Sequence, residues 1–141
     1  MAEKILVSAC LLGRDCKYNG GNNYDPKVAA FTQGREVIEV CPEVLADMGI
    51  PRVPMEIREG RLVNRHGVDV DGPNRGAVAA ILEQIRDESI ACAVLKSRSP
   101  TCGVRQVYDG TFTGTLVDGA GVLAKALMDA GYRVIDAEEL E

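Results

Sequence analysis

The stretch Ile5-Leu6-Val7-Ser8-Ala9-Cys10 decides the fold, because its apolar run predicts a buried strand that ends at a cysteine. A continuous apolar run of this kind is typical of a strand covered on both faces, as in parallel sheets. The arrangement recurs at Val37–Val40, which ends at Cys41, and at Ala91–Leu95, which precedes the loop that carries Cys102. In an open parallel sheet the carboxyl ends of the strands face one crevice, where ligands bind. We therefore expect three thiols that are far apart in sequence to converge on one site.

The segments between these strands carry helix and turn signals. Helices are predicted at Pro26–Phe31, with Asp25 as N-cap, and at Glu43–Met48. A longer helix is predicted to start near Asp71 and Pro73 and to carry the apolar stripe Val78, Ile81, Leu82 and Ile85. The last helix is predicted at Val122–Ala130 and ends before Gly131. A hairpin is predicted near Gly60 within the turn-rich segment Gly49–Val70, an extended flap at Tyr108–Val117, and a closing strand at Tyr132–Ile135.

Strands that alternate with helices predict the α/β class. We expect one domain over residues 1–141, with three layers, a mostly parallel sheet and a Rossmann- or flavodoxin-like arrangement. A chain of 141 residues is long enough to bury its own core.

Composition and charge exclude several partners. The net charge is −5 and no long Lys/Arg stripe occurs, so DNA is not an expected partner. No apolar run approaches the roughly 20 residues of a membrane span, so no membrane partner is expected. The start, Met1-Ala2-Glu3-Lys4, leads directly into a strand and lacks the pattern of a signal peptide, which predicts a cytoplasmic location and reduced cysteines. An odd count of five cysteines also argues against a disulfide framework.

The first motif is the loop that follows the first predicted strand. It runs from Ser8 to Gly13 and continues through Cys16 and Tyr18 to Asn19-Gly20-Gly21-Asn22. Such a Gly- and Asn-rich loop lets backbone N–H groups approach a ligand. A long polar turn with one buried cysteine is an equally good interpretation. The glycine patterns of dinucleotide-binding and P-loop proteins are absent from the sequence.

The second motif is Cys41-Pro42-Glu43. Pro42 suits the first turn of a helix, so Cys41 would lie near a helix N-terminus, where a thiolate is stabilised. Glu43 could move protons beside a metal site, or it could only complement the helix dipole.

The third motif, Lys96-Ser97-Arg98-Ser99-Pro100-Thr101-Cys102-Gly103, follows a buried strand directly. Its hydroxyls and N–H groups could bind a polar ligand, and Lys96 or Arg98 could hold an anionic part. A solvated loop of this composition is the alternative, but its position at the end of a strand favours function.

The other candidates are weaker. Cys92 lies within a strand and is expected to be a buried apolar residue. Cys16 is either a fourth ligand or a bystander. His66, the only histidine, is expected on the surface, and no C-x-x-C pair occurs. Three thiolates suit zinc or an iron–sulfur cluster, and on a four-iron cluster they would leave one iron open as a Lewis acid. Spacing alone does not choose between these.

Taken together, the motifs resemble a bacterial family first described as a domain of unknown function and now associated with thiouracil desulfurase. The resemblance spans nearly the whole chain and rests on Ser8–Gly13 with Cys16, Tyr18 and Gly20-Gly21-Asn22; on Cys41-Pro42-Glu43; on Lys96–Gly103; and on Tyr108-Asp109-Gly110-Thr111-Phe112 with Gly114-Thr115. It implies a single α/β domain with a [4Fe–4S] cluster held by Cys10, Cys41 and Cys102. It also implies catalytic roles for Glu43 and Ser99.

We further expect five residues of these motifs to bind substrate: Ser8, Asn22, Lys96, Ser97 and Thr101. Thr101 and Leu123 depart from the family pattern, where a serine and a small hydroxyl residue are expected. The implied reaction is hydrolytic removal of sulfur from a thiolated pyrimidine, a 2-thiouracil or 4-thiouracil type base or nucleotide, with thiolated RNA a less favoured substrate. The alternatives are a metal- or cluster-binding module without catalysis, and a thiol redox or sulfur-carrier protein that uses Cys10 and Cys16.

Overall fold

The computed structural model describes residues 3–140 as an α/β domain. Within them the chain forms eight strands: β1 (Lys4–Ser8), β2 (Glu36–Val40), β3 (Met55–Arg58), β4 (Arg61–Asn64), β5 (Ile90–Leu95), β6 (Gln106–Tyr108), β7 (Leu116–Asp118) and β8 (Val134–Asp136). The helices are α1 (Pro26–Thr32), α2 (Pro42–Leu45), α3 (Asp71–Ile85) and α4 (Val122–Asp129), with 3₁₀ turns at Ala9–Leu12 and Ala137–Glu139. The prediction about how Met1 and Ala2 enter the first strand lies outside the described residues.

A four-stranded parallel sheet forms the centre, with strand order β2-β1-β5-β8. The chain leaves β1 to one side and later returns to its other side at β5, so the connections diverge between these two strands. Such a divergence opens a crevice at the carboxyl ends. Ser8, Val40 and Leu95 end the three neighbouring strands there, which confirms the expected mostly parallel sheet.

Alternating side chains of the sheet pack into two separate cores, one on each face, so the domain has three layers. Leu6, Ala93 and Leu95 pack on one face with α3 and α4. Ile5, Val7, Cys92 and Val94 pack on the other face with Val28 of α1 and Leu11 of the first 3₁₀ turn. Because both faces are covered, the central strands read as continuous apolar runs.

The helix boundaries follow the expected capping signals. Asp25 accepts a hydrogen bond from the Lys27 N–H and caps α1, and Gly131 follows α4 with φ 92°, the left-handed conformation of a C′ glycine. Helix α2 ends at Leu45 rather than Met48, and the closing strand begins at Val134 rather than Tyr132.

One boundary matters for the site. β1 ends at Ser8, and Ala9 and Cys10 belong to the 3₁₀ turn rather than to the strand. The strand predicted from the apolar run Ile5–Ala9 is therefore one residue too long at its end. Ala9 is buried in the core although it lies in the 3₁₀ turn.

Two hairpins stand beside the sheet. β3 and β4 pair antiparallel around Glu59 and Gly60, both with positive φ, as the sequence predicted near Gly60. β6 and β7 pair antiparallel and form the predicted flap. Among the helices of the described residues, none is both long and apolar enough to cross a membrane.

Candidate active site

One cavity of about 480 Å³ lies at the carboxyl ends of β1, β2 and β5. Its lining includes four of the five cysteines, namely Cys10, Cys16, Cys41 and Cys102. A cavity of this size is typical of small-molecule sites. The fold therefore brings together three thiols that the strand pattern predicted to converge, and it adds Cys16.

Cys10 and Cys41 each follow a strand and sit at the start of a turn or helix. Cys10 lies in the 3₁₀ turn, and its Sγ accepts a hydrogen bond from Asn23 Nδ2 at 3.5 Å. Cys41 is the N-cap of α2, with Pro42 at the first helical position as predicted. Its Sγ lies 3.8 Å from the carbonyl oxygen of Cys16 and 3.9 Å from Glu43 Oε2. Both sulfurs are therefore held beside polar groups at the rim of the sheet.

Cys102 is held by the loop that follows β5. Ser99 Oγ accepts hydrogen bonds from the backbone N–H groups of Thr101 (3.2 Å) and Cys102 (3.1 Å). The start of α4 packs directly on this loop, so closely that a Cβ on Gly121 would stand 2.5 Å from the carbonyl carbon of Thr101. Ser99 thus fixes the backbone that presents Cys102.

Glu43 reaches into the same cavity and is held on both of its oxygens. Arg52 Nη2 lies 3.1 Å from Oε2, and Thr101 Oγ1 donates to Oε1 at 3.3 Å. Arg52 also donates to the carbonyl oxygens of Cys16 (2.8 Å) and Gly49 (3.0 Å). The carboxylate is therefore fixed in orientation within hydrogen-bonding distance of the thiol cluster.

A chain of hydroxyls connects Ser99 to Glu43. Because Ser99 Oγ already accepts two N–H groups, its proton is free to go to Thr101 Oγ1, 3.1 Å away. Thr101 then donates its own proton to Glu43. Thr101, which is fully buried, links the two residues that the family resemblance marks as catalytic.

Burial favours the protonated form of three cysteines, Cys10, Cys16 and Cys102. It raises the pKa of Cys10, and it raises the pKa of Cys16 and of Cys102 to about 12. The nearby Cys41 adds to the rise in the pKa of Cys16. A hydrogen bond from Ser8 lowers the pKa of Cys102 in part. Thiols of this kind are poor nucleophiles by themselves.

The five residues expected to bind substrate occupy different places. Ser8, Lys96 and Ser97 line the cavity. Ser8 is buried and accepts the Lys96 N–H at 3.0 Å, while Lys96 Nζ donates to the Ser97 carbonyl oxygen at 2.9 Å. Thr101 is not part of the lining, and its hydroxyl lies 3.1 Å from Ser99 Oγ and 3.3 Å from Glu43 Oε1.

Asn22 does not line the cavity, and its neighbour Asn23 does. The Asn22 side chain is exposed, donates to Asp15 and accepts from the Tyr24 N–H, so it stabilises the loop. The structure also adds Arg52, Tyr108 and Phe112 to the lining, and sequence reasoning did not single these out as site residues. The resemblance already contained Tyr108 and Phe112 within a matching motif, which was the signal available.

Cys92 and His66 occupy the positions predicted for them. Cys92 is buried within β5 on the sheet face away from α3 and α4, and it does not line the cavity. His66 is exposed in the turn after β4. Neither residue contributes to the site.

The four cysteines of the cavity are the candidate ligands of a metal centre. Across residues 3–140, no three His, Cys, Asp or Glu side chains are arranged to hold a single metal ion. Thiols that line one cavity form a donor set that suits a soft metal such as zinc or an iron–sulfur centre.

Comparison with known proteins agrees with this geometry. Residues 5–139 match the model of a family described as 2-thiouracil desulfurase. The chain is 36% identical to the Bacillus subtilis (strain 168) protein YbbK, described as uncharacterized, over 96% of this chain and 97% of that protein. It also superimposes with a TM-score of 0.90 and 33% identity on the solved structure of a [4Fe–4S]-dependent thiouracil desulfidase, TudS, covering 98% of this chain and 93% of the other. The chain belongs to the 2-thiouracil desulfurase family.

Proposed function

We propose that this protein is a [4Fe–4S]-dependent desulfurase that hydrolyses a thiolated pyrimidine, of the 2-thiouracil or 4-thiouracil type, to the oxo compound and sulfide. The observation that carries the proposal is the convergence of Cys10, Cys41 and Cys102 with Glu43 on one cavity. The solved thiouracil desulfidase with the same fold supports it.

The donor set fits the cofactor. Cys10, Cys41 and Cys102 would hold the cluster, and the sulfurs of Cys10 and Cys102 have hydrogen-bond donors beside them in Asn23 and Ser8, respectively. When bound, a cluster with three thiolate ligands supplies one iron with an open position, which polarises the carbon–sulfur bond of the substrate as a Lewis acid. Hydrogen bonds to the sulfurs are a general means of tuning such centres.

Cys16 is proposed as a neighbour of the cluster rather than a ligand. Its carbonyl oxygen lies 3.8 Å from the Cys41 sulfur, so Cys16 is adjacent to a proposed ligand. Its carbonyl oxygen binds Arg52, which ties its backbone to the network around Glu43.

Glu43 is proposed to take the proton of the attacking water. Its oxygens are held by Arg52 and Thr101, which fix the carboxylate toward the cavity and leave lone pairs for a further proton. Ser99 and Thr101 provide the hydroxyl chain through which the arrangement of Glu43 is maintained. Water oxygen replaces sulfur, and sulfur leaves as sulfide, so the reaction needs neither nicotinamide nor flavin.

Polar groups of the cavity are proposed to bind the ring. Ser8, Lys96 and Ser97 line the cavity, and their polar groups are the ones proposed to contact the carbonyl oxygen and ring nitrogens of the pyrimidine. We propose that Asn22 stabilises the loop that follows β1 and does not contact substrate, because its side chain is hydrogen-bonded to Asp15. A small molecule is favoured over thiolated RNA because the chain carries a net charge of −5.

Two finer assignments belong to the same proposal. Within the parallel sheet, β5 and β8 are the third and fourth strands along the chain, so the order β2-β1-β5-β8 corresponds to 2-1-3-4. This matches the start of the flavodoxin-like order 2-1-3-4-5. A cytoplasmic location would keep the thiols reduced, as cluster assembly requires.

The raised pKa values count against the sulfur-carrier alternative. A reactive thiol has a lowered pKa, whereas burial raises the pKa of both Cys10 and Cys16. The alternative of a binding module without catalysis is distinguished from an enzyme by an assay of sulfide release.

The test is anaerobic reconstitution with iron and sulfide, followed by an assay for sulfide release from 2-thiouracil and 4-thiouracil compounds. The proposal predicts turnover by the loaded wild-type protein and by Cys92→Ala, because Cys92 lies outside the cavity. A fully loaded protein that desulfurates no thiolated base, nucleoside or nucleotide would establish the binding-module alternative instead.

A further inference from the structure

The loop between β6 and β7 places an aromatic ring at the cavity. Phe112 lines the cavity together with Tyr108 and Gly114, although the thiols and Glu43 lie on other elements. The loop belongs to the flap that the sequence predicted, and none of the roles proposed above uses it.

Two side chains of β3 hold this loop in place. Glu56 Oε1 accepts hydrogen bonds from the backbone N–H groups of Gly110 (3.0 Å) and Phe112 (3.2 Å). Arg58 donates to the Gly110 carbonyl oxygen from Nε (3.0 Å) and Nη2 (2.6 Å). The Arg58 guanidinium also lies 5.9 Å from the centre of the Phe112 ring. One carboxylate and one guanidinium therefore fix both sides of the turn.

The backbone of the loop is unusual at the position of the ring. Phe112 has φ 58°, in the left-handed region that large side chains rarely adopt. Gly110 approaches β3 so closely that a Cβ would stand 2.6 Å from the carbonyl oxygen of Ile57. Glycine or asparagine adopts this backbone conformation more readily than phenylalanine does. The presence of phenylalanine here therefore indicates that its aromatic ring has a role at this position.

From this arrangement we propose that Phe112 selects a flat aromatic ring in the cavity by stacking on it, and that Glu56 and Arg58 are the residues that position it. The inference rests on the proposed function, because it assigns the part of the substrate that the flap contacts. Phenylalanine offers only its ring face and edge, so its contribution depends on the planarity of the ligand. The rest of the polar lining would bind a planar and a puckered ring with the same hydrogen bonds.

The test compares 2-thiouracil with 5,6-dihydro-2-thiouracil, whose saturated ring is puckered but keeps the same polar groups. Stacking of one base on one aromatic side chain corresponds to a preference of about 5- to 150-fold. Loaded wild-type protein should therefore favour the planar compound in kcat/KM by a factor in that range. Phe112→Leu should lower the ratio by about that factor, while Phe112→Tyr, which keeps the ring, should preserve it.

The positioning residues are tested in the same assay. Glu56→Ala should lose the preference as Phe112→Leu does, with unchanged iron content, since Glu56 forms no hydrogen bond to a cysteine. Glu56→Gln should rescue it, because an amide oxygen can still accept from both N–H groups. Loss of iron together with the preference would instead mark Glu56 as a residue of general stability.

A binding measurement separates this inference from the proposed reaction. Calorimetry of the loaded protein with uracil and 5,6-dihydrouracil needs no turnover, and it should show the same preference in wild type and its loss in Phe112→Leu. Such a preference in a protein that releases no sulfide would support the role of Phe112 and overturn the proposed reaction. A ratio that Phe112→Leu leaves unchanged, or no binding of either ring by wild type, would overturn the role of Phe112.

Discussion

Removal of the Arg52 side chain should cost more stability than removal of any surface ion pair. The Arg52 and Glu43 side chains are only 8% and 15% exposed, and Arg52 also donates to two backbone carbonyl groups. Breaking a buried pair by deleting one partner leaves the other charge uncompensated and costs about 3–5 kcal/mol. We therefore expect Arg52→Ala to lower the free energy of unfolding by about that amount, a large part of the roughly 5–15 kcal/mol typical of a domain.

The assay is urea unfolding of the reduced, cluster-free protein followed by circular dichroism. Arg14→Ala is the matched control, because Arg14 pairs with Glu39 at the surface with 68% of its side chain exposed, and such pairs contribute about 0–1 kcal/mol. The double variant Arg52→Ala/Glu43→Ala should lose less than the sum of its single changes, since no lone charge remains buried. An effect of Arg52→Ala no larger than that of Arg14→Ala would refute the buried-pair reasoning.

Three further substitutions test the chemistry and the packing around the thiols. Glu43→Gln should keep the cluster while turnover falls by about 10²–10⁴-fold, the usual contribution of a general acid–base group, as measured by sulfide release; normal turnover would remove Glu43 from the mechanism. Thr101→Val should lower turnover because Glu43 loses its Oε1 donor, and Thr101→Ser should restore it; equal rates in the two variants would show that the hydroxyl is dispensable. Gly121→Ala should reduce iron loading, because the added Cβ would displace the backbone of Thr101 and Cys102. Gly76→Ala is the control and should load iron normally, since Gly76 has open space around it. Equal iron content in both variants would contradict the packing argument.

The strands and their order along the chain could be predicted because the central sheet is covered on both faces. Burial on both faces leaves continuous apolar runs such as residues 5–7 in β1 and 91–95 in β5, and the parallel arrangement then brings Cys10 and Cys102 to one edge. The exact end of β1 could not be predicted, because Ala9 is equally apolar in a strand and in a buried 3₁₀ turn.

The polar contacts of the site were harder to predict because they depend on the path of irregular segments. Asn22 and Asn23 are adjacent and chemically identical, and only the turn that bonds Asn22 to Asp15 sends Asn23 toward Cys10. Arg52 lies in a turn-rich segment without periodicity, so nothing in its sequence context indicated a buried partner. Phe112 is held by a carboxylate 56 residues earlier in the chain, a distance that local patterns do not span.

The number of thiols that hold the cluster tests the central claim most directly. The measurement is the iron and sulfide content, with the visible absorption spectrum, of five single Cys→Ala variants after anaerobic reconstitution. The account predicts loss of the cluster in Cys10→Ala, Cys41→Ala and Cys102→Ala, and full loading in Cys16→Ala and Cys92→Ala. Full loading of Cys10→Ala, or loss of iron from Cys16→Ala as complete as that from Cys10→Ala, would contradict a three-thiol site with one open iron.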